Sequence, residues 1–305
     1  MTDVASPVAV EDPTAADVEP VEAPTRAASL APGAASAPTL VTLRTGVGSG
    51  PKRRLRVPRW LERLAGVFAL VAIWEVASQV GWLDPHQLAA PDTVLTVGRD
   101  LFADGTLTSA LWASVHRVLL GLGIGVSIGV ALALISGLSR VGDDVIDSNV
   151  QVLRFVPFVA LQPLLILWLG VGETTKVTLL VFGVALTTYL NTHNGIKAIH
   201  PGHHELAAVV GLGRWQRIRR IVLPGALPSF FVGLRLATSI AWLLLVFAEQ
   251  INASSGLGYL ISRAQVLQQS DVIVVCIVMY AVLGLISDGL VRALERWALR
   301  WQPGR

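Results

Sequence analysis

The chain has 305 residues, 53% hydrophobic and 15% charged, with a mean hydropathy of +0.61. That balance excludes an ordinary water-soluble domain, because its apolar runs are long enough to cross a bilayer, which takes about 20 helical residues. The net charge of +3 is small, and the single cysteine, Cys276, excludes an intrachain disulfide.

Residues 1–50 are rich in Ala, Pro, Ser, Thr and Val, with six acids and only Arg26 and Arg44 as bases. Without a helical period or many bulky apolar side chains, this stretch reads as a disordered cytoplasmic tail. Its acidic start, with no apolar h-region behind it, argues against a signal peptide. The composition then flips. Lys52, Arg53, Arg54, Arg56, Arg59 and Arg63 form a basic run just ahead of the first apolar segment. Such a run fits a cytoplasmic flank drawn to anionic lipid better than a nucleic-acid patch.

From 51 to 305 the chain reads as one membrane domain, all-α, with helices near 62–82, 111–137, 155–172, 176–193, 228–250 and 272–291. The stretch 118–139 carries no charge at all. Seventeen Lys/Arg fall on the alternate segments 52–63, 140–154, 197–220 and 292–305, against three on the other side, Arg99, Lys176 and Arg263. The excess of bases marks the cytoplasmic face, so both termini and the loop 194–227 are expected there. Trp60, Trp297 and Trp301 then fall at inner boundaries and Trp82, Trp112 and Trp168 at outer ones.

The outer loop 83–110 has room for an interfacial helix started by Pro91-Asp92, with Val94, Leu95, Val97, Leu101 and Phe102 on one apolar face. In the second span Gly121, Gly125, Gly129, Ala133 and Gly137 recur every four residues. That ridge lets a helix approach backbone to backbone, within the chain or from a second subunit. The third span carries Pro157 and Gln162-Pro163, which free backbone carbonyls and bend it. Gln162 can face a pore or make an interhelical hydrogen bond.

Ionisable groups at membrane depth default to functional candidates. Glu75 can extend outward; Arg235 can snorkel inward or touch substrate. Glu249 closes the fifth span beside a Gly- and Ser-rich stretch, 250–259, readable as a gate or as an ordinary turn with Glu249 in water. Asp288 can pair with Arg292 at i,i+4.

Between the fourth and fifth spans lies ELAAVVGLGRWQRIRRIVLP, residues 205–224, with Arg214, Arg217, Arg219 and Arg220. So cationic a helix cannot cross lipid and must lie on one face. Ala207, Ala208, Gly211 and Gly213 permit close approach of a partner, Gly211 can take a positive φ, and Pro224 restricts Leu223. Glu205, Ala207, Gly211, Ile221, Leu223 and Pro224 stand at the positions of the cytoplasmic "EAA" signature, with Leu206 in place of its first alanine. The chain therefore resembles the permeases of binding-protein-dependent ABC importers over about residues 60–300. It is most similar to those for aliphatic sulfonates, taurine and nitrate through 164–170, 223–229 and 254–259.

That resemblance implies a type I ABC importer permease fold of six transmembrane helices in the cell inner membrane, with 205–224 as the coupling helix. Glu205, Ala207, Ala208, Gly211, Arg214, Ile221, Leu223 and Pro224 would contact ABC ATPase subunits. Gln162, Pro163, Arg235, Glu249, Ser254 and Ser255 would be pathway candidates. Partners would be an extracytoplasmic solute-binding protein and a second permease subunit in a homodimer, with no nucleic acid. ATP and Mg would belong to the ATPase: none of the three lysines follows a glycine, so no Walker A loop is present. No catalytic triad or paired carboxylates can be placed in the spans, so no enzyme is expected. His193, His200, His203 and His204 surround Pro201-Gly202 but lack carboxylate or cysteine partners, so no metal site is expected. A stand-alone ion-driven transporter or channel would explain six spans equally well, but not the cationic Ala/Gly-spaced loop.

Overall fold

A computed structural model describes residues 59–84 and 88–301. The expectations for 1–50 and for the basic run 52–56 lie outside the described residues. Within them, every regular element is helical. In order these are α1 (Arg59–Gln79), α2 (Pro91–Ala103), α3 (Thr106–Leu138), α4 (Arg140–Gly142), a π-helical turn (Asp143–Asp147) and α5 (Ser148–Leu153). A 3-10 turn (Phe158–Leu161), α6 (Gln162–Leu169), α7 (Glu173–Lys197), α8 (Pro201–Val209) and α9 (Arg214–Arg217) follow. A second π-helical turn (Ile218–Val222) leads into α10 (Leu223–Asn252), then α11 (Leu257–Val266) and α12 (Ser270–Ala298).

By length and composition α3, the continuous run Arg214–Ile251 and α12 can each cross a membrane. Leu119, Ile124, Ile128 and Ile135 of α3 and Ile277, Leu285, Ile286 and Leu290 of α12 are exposed, as lipid-facing positions must be apolar. The 25-residue α7 is long enough to span but far more polar, with Thr188, Thr192 and His193 buried. It affords this because it lies between α3 and α10 and faces protein rather than lipid. Val118, Leu179, Leu180, Val184, Ala237, Ala241, Leu244 and Leu245 make the core where the three helices meet.

The small-residue ridge of α3 packs within the chain, against α7. A Cβ at Gly129 would come 2.5 Å from the Ala185 carbonyl, and one at Gly125 2.7 Å from Val184. Glycine is required there because backbone meets backbone.

The continuous third helix expected over 155–172 does not form. Arg140–Leu153 and Phe158–Leu169 meet at 92°. Pro157 lacks an N–H and keeps Val156 out of the α region, while Pro163 occupies the first turn of α6. With eight residues, α6 is about 12 Å long and cannot cross alone. The loop expected over 250–259 is also shorter: α10 continues to Asn252 and α11 begins at Leu257. The interfacial helix forms as α2, but Val94 turns inward while Leu95 and Phe102 stay exposed.

At the far end of α7, His193 stacks on Tyr189 and its Nε2 lies 2.9 Å from Asp143 Oδ1. Lys197 Nζ donates to Asp143 Oδ2 at 2.6 Å, and Tyr189 OH to Asp147 Oδ1 at 3.2 Å. These contacts fasten the first π-helical turn to α7. His200 serves the next helix instead, its Nδ1 accepting from the Gly202 N–H as the N-cap of α8.

Candidate functional site

Two sites emerge, at opposite ends of the Arg214–Ile251 run. The first is the element α8–turn–α9. α8 stops because Gly211 takes φ +70, with Leu212 N–H donating to Ala207 O (2.9 Å) and Gly211 N–H to Ala208 O (3.1 Å). This is a Schellman stop, which the glycine satisfies without a Cβ penalty. Ala207 is buried, Glu205 and Ala208 are exposed, and Arg214 opens α9 exposed. Ile221 and Pro224 are half-buried, and Leu223 begins α10 exposed. Leu206, Val209, Val210 and Trp215 are left bare, Val209 at 86%.

The second site is a buried ion cluster centred on a residue the sequence reading passed over. Arg117 sits on α3, eleven residues past its first residue, and is 3% exposed. Its Nη1 donates to Glu249 Oε1 at 2.5 Å and to the Ser255 carbonyl at 2.7 Å. Nε donates to Glu173 Oε2 at 2.6 Å and Nη2 to Glu173 Oε1 at 2.7 Å. Nη2 also reaches Ser255 Oγ at 2.9 Å. Glu249, fully buried, further accepts from Ser114 Oγ, from the Gly258 N–H at 2.8 Å and from Tyr280 OH at 3.1 Å. Ser114 Oγ in turn accepts from the Leu257 N–H.

Burying a charge costs several kcal/mol unless its partners are this complete. Two cations, Arg117 and Lys176, face two carboxylates, Glu173 and Glu249, so the cluster carries no net charge. Lys176 Nζ donates to Glu173 Oε1 at 2.7 Å and is itself 3% exposed, although it was assigned to an outer loop. Glu173, at the mouth of the α6–α7 turn, is held down to about 2, chiefly by the hydrogen bond from Arg117 against the upward pull of partial burial. The glycines of 254–259 follow from Glu249: a Cβ on Gly256, at φ +116, would collide with its carboxylate, and one on Gly258 would lie 2.6 Å from its Cβ.

Of the pathway candidates, the structure brings together Glu249 and Ser255. Glu249 is buried rather than in water. Ser254 stays exposed nearby. Gln162 is 2% exposed and its Nε2 donates to the Phe247 carbonyl at 3.3 Å, an interhelical bond, leaving Oε1 without a partner among the described residues. Pro163 is exposed. Arg235 lies apart and donates to Asp288 Oδ1 at 3.0 Å; Asp288 also pairs with Arg292 as the spacing predicts. The signal for Arg117 was present: one arginine inside an apolar helix, and one glutamate closing another at the same end.

Residues 125–300 match the family described as binding-protein-dependent transport system inner membrane component. The chain is 45% identical to the putative aliphatic sulfonates transport permease protein SsuC of Escherichia coli (strain K12), over 81% of this chain and 95% of that one. It is 30% identical to the taurine transport system permease protein TauC of the same strain, over 76% and 86%. The bicarbonate transport system permease protein CmpB of Synechococcus elongatus is 28% identical, over 83% and 94%. In fold the chain is similar to a bacterial ABC transporter involved in import of the acidic polysaccharide alginate, with TM-score 0.54 at 17% identity, over 78% and 95%. It is likewise similar to the MetNI methionine ABC transporter in an inward-facing conformation, with TM-score 0.53 at 19% identity, over 63% and 96%.

Proposed function

This chain belongs to the binding-protein-dependent transport system inner membrane components and is the permease subunit of an ABC transporter; from that premise we propose that it imports a small anion, an aliphatic sulfonate or a taurine- or nitrate-like solute. The observation that carries the substrate class is the 45% identity to a sulfonate permease, which extends over 95% of that protein.

In this reading a solute-binding protein delivers the anion from outside, and a second copy of the chain completes the pore. Separate ABC ATPase subunits hydrolyse ATP with Mg and grip the coupling loop through Glu205, Ala207, Ala208, Gly211, Arg214, Ile221, Leu223 and Pro224. Both termini and the loop 194–227 face the cytoplasm of the cell whose inner membrane holds the protein. The bare Leu206, Val209 and Trp215 support docking there, since apolar side chains on a cationic element outside lipid call for a protein partner. Closure of the ATPases would rock the helices between inward- and outward-facing states. Gln162, Pro163, Arg235, Glu249, Ser254 and Ser255 are the pathway candidates.

The test is ATP hydrolysis by the permease–ATPase complex in liposomes with its binding protein. A sulfonate should raise the rate where an uncharged analogue does not. Uptake by the isolated permease driven by an ion gradient, with no ATPase present, would overturn the proposal.

A further inference from the structure

We infer that Glu173 is a displaceable stand-in for the head group of the transported anion, and that Arg117 and Lys176 beneath it form an oxyanion site at the outer mouth. The inference rests on the transport reading above and deepens it by naming the groups that meet the substrate.

The members of the cluster are not held alike. Arg117 and Lys176 are each 3% exposed, whereas Glu173, which bridges them, is 59% exposed. Arg117 has a second set of partners on its other side, Glu249 and Ser255, that does not depend on Glu173. The guanidinium therefore stays in place if Glu173 leaves. Glu173 follows the turn Gly170-Val171-Gly172, where Gly170 has φ +75 and nothing stands within 4 Å of a Cβ built on either glycine. The covering carboxylate is the exposed member of the four charged groups.

The geometry beneath it fits an oxyanion. Departure of Glu173 frees the Nε/Nη2 edge of Arg117, the side of a guanidinium that takes two oxygens in parallel. It also frees the Lys176 ammonium, now 2.7 Å from the same Glu173 Oε1 that Arg117 Nη2 holds at 2.7 Å. Glu173 meets three cationic donor contacts with two oxygens, Oε1 taking two of them. A sulfonate has three: two for the guanidinium edge, the third for Lys176. The charge also balances. With Glu173 swung out, Arg117, Lys176 and Glu249 sum to +1, which a monoanion neutralises and a neutral solute does not.

The experiment uses the permease–ATPase complex in nanodiscs without binding protein, titrated with methanesulfonate and followed by intrinsic tryptophan fluorescence and thermal protection. Glu173→Gln removes the competing anion, so the apparent Kd for methanesulfonate should fall about tenfold or more, because occupancy by Glu173 divides the intrinsic affinity by the fraction of open site. Dimethyl sulfone, a neutral isostere, should give no response. Glu173→Gln with Lys176→Met restores neutrality and should lose the gain. Lys176→Met alone, with Glu173 still on Arg117, is an independent arm and should abolish binding to the otherwise native complex. Unchanged affinity in Glu173→Gln, retained binding in Lys176→Met, or an equal response to dimethyl sulfone would each overturn the site. If sulfonate still stimulates ATP hydrolysis by the native complex with its binding protein, the transport reading survives that result. No stimulation by any anion would overturn both.

Discussion

The two ends of the Arg214–Ile251 run differ in how they are built. The α8–α9 element is local and open. Its residues lie within 205–224, its stop is set by Gly211, and its apolar side chains are bare. The Arg117 cluster is the reverse, buried except for Glu173 and drawn from α3, α7, α10, α11 and α12, with Arg117 and Glu249 separated by 132 positions. An open, locally built surface tolerates substitution with little change in stability, whereas a buried charge network does not.

Substitution should separate the two regions on that basis. Glu249→Leu leaves the Arg117 guanidinium buried without its innermost partner, and a loss of about 3–5 kcal/mol is expected. It should be read as collapse of the monodisperse peak in detergent on heating, and a native-like melting profile would refute the central place given to Glu249. Next comes Gly129→Val, which pushes a side chain into the Ala185 carbonyl of α7. A cost of about 1–3 kcal/mol is expected, measured in the same assay, and none would mean that α3 and α7 can part freely.

Gln268 is the one non-glycine residue with positive φ among those described, at φ 55. Gln268→Gly should raise stability by about 1 kcal/mol, visible as a higher melting temperature. The Glu173 contact is exposed and should act more weakly, but with a defined pH window. Its folded-state value lies below the ordinary 4.5, at about 2. Its contribution is therefore complete above 4.5 and is lost as pH falls toward 2. Wild type and Glu173→Gln should diverge in melting temperature above that window and converge below it; parallel curves would count against the contact. The smallest effect on stability is expected at the open end. Glu205→Arg should leave melting and membrane insertion unchanged while uptake and ATPase coupling are abolished, and normal transport would end the coupling assignment.

What the sequence made legible follows the same division. The signature over 205–224 could be read because its spacing is fixed along one short stretch, and the left-handed conformation of Gly211 followed from the helix having to stop there. The α3 ridge was visible as a four-residue repeat, although only packing could show that α7 is what it meets. The prolines at 157 and 163 announced a bend, but their joint effect, a near right angle instead of a kink, depends on how α5 and α6 dock. The partners of Arg117 stayed hidden for a physical reason. An arginine in an apolar run has no visible partner until folding brings α10 and α7 beside it, and the carboxylates that neutralise it lie 56 and 132 positions away. α11 was missed for a related reason: its start is fixed by Glu249 and Ser114 accepting its first N–H groups, contacts no local pattern announces.

One consequence follows from the uninterrupted course of the backbone from α9 through the second π-helical turn into α10. Trp215 and Glu249 sit on a single rod with about 50 Å between them at 1.5 Å per residue. A pivot of about 5° at one tip therefore sweeps the opposite tip through about 4 Å, more than the reach of any hydrogen bond around Arg117. A small tilt at the Trp215 end would therefore appear beside the charge cluster as a displacement large enough to break its contacts, with no relay of intermediate side chains required.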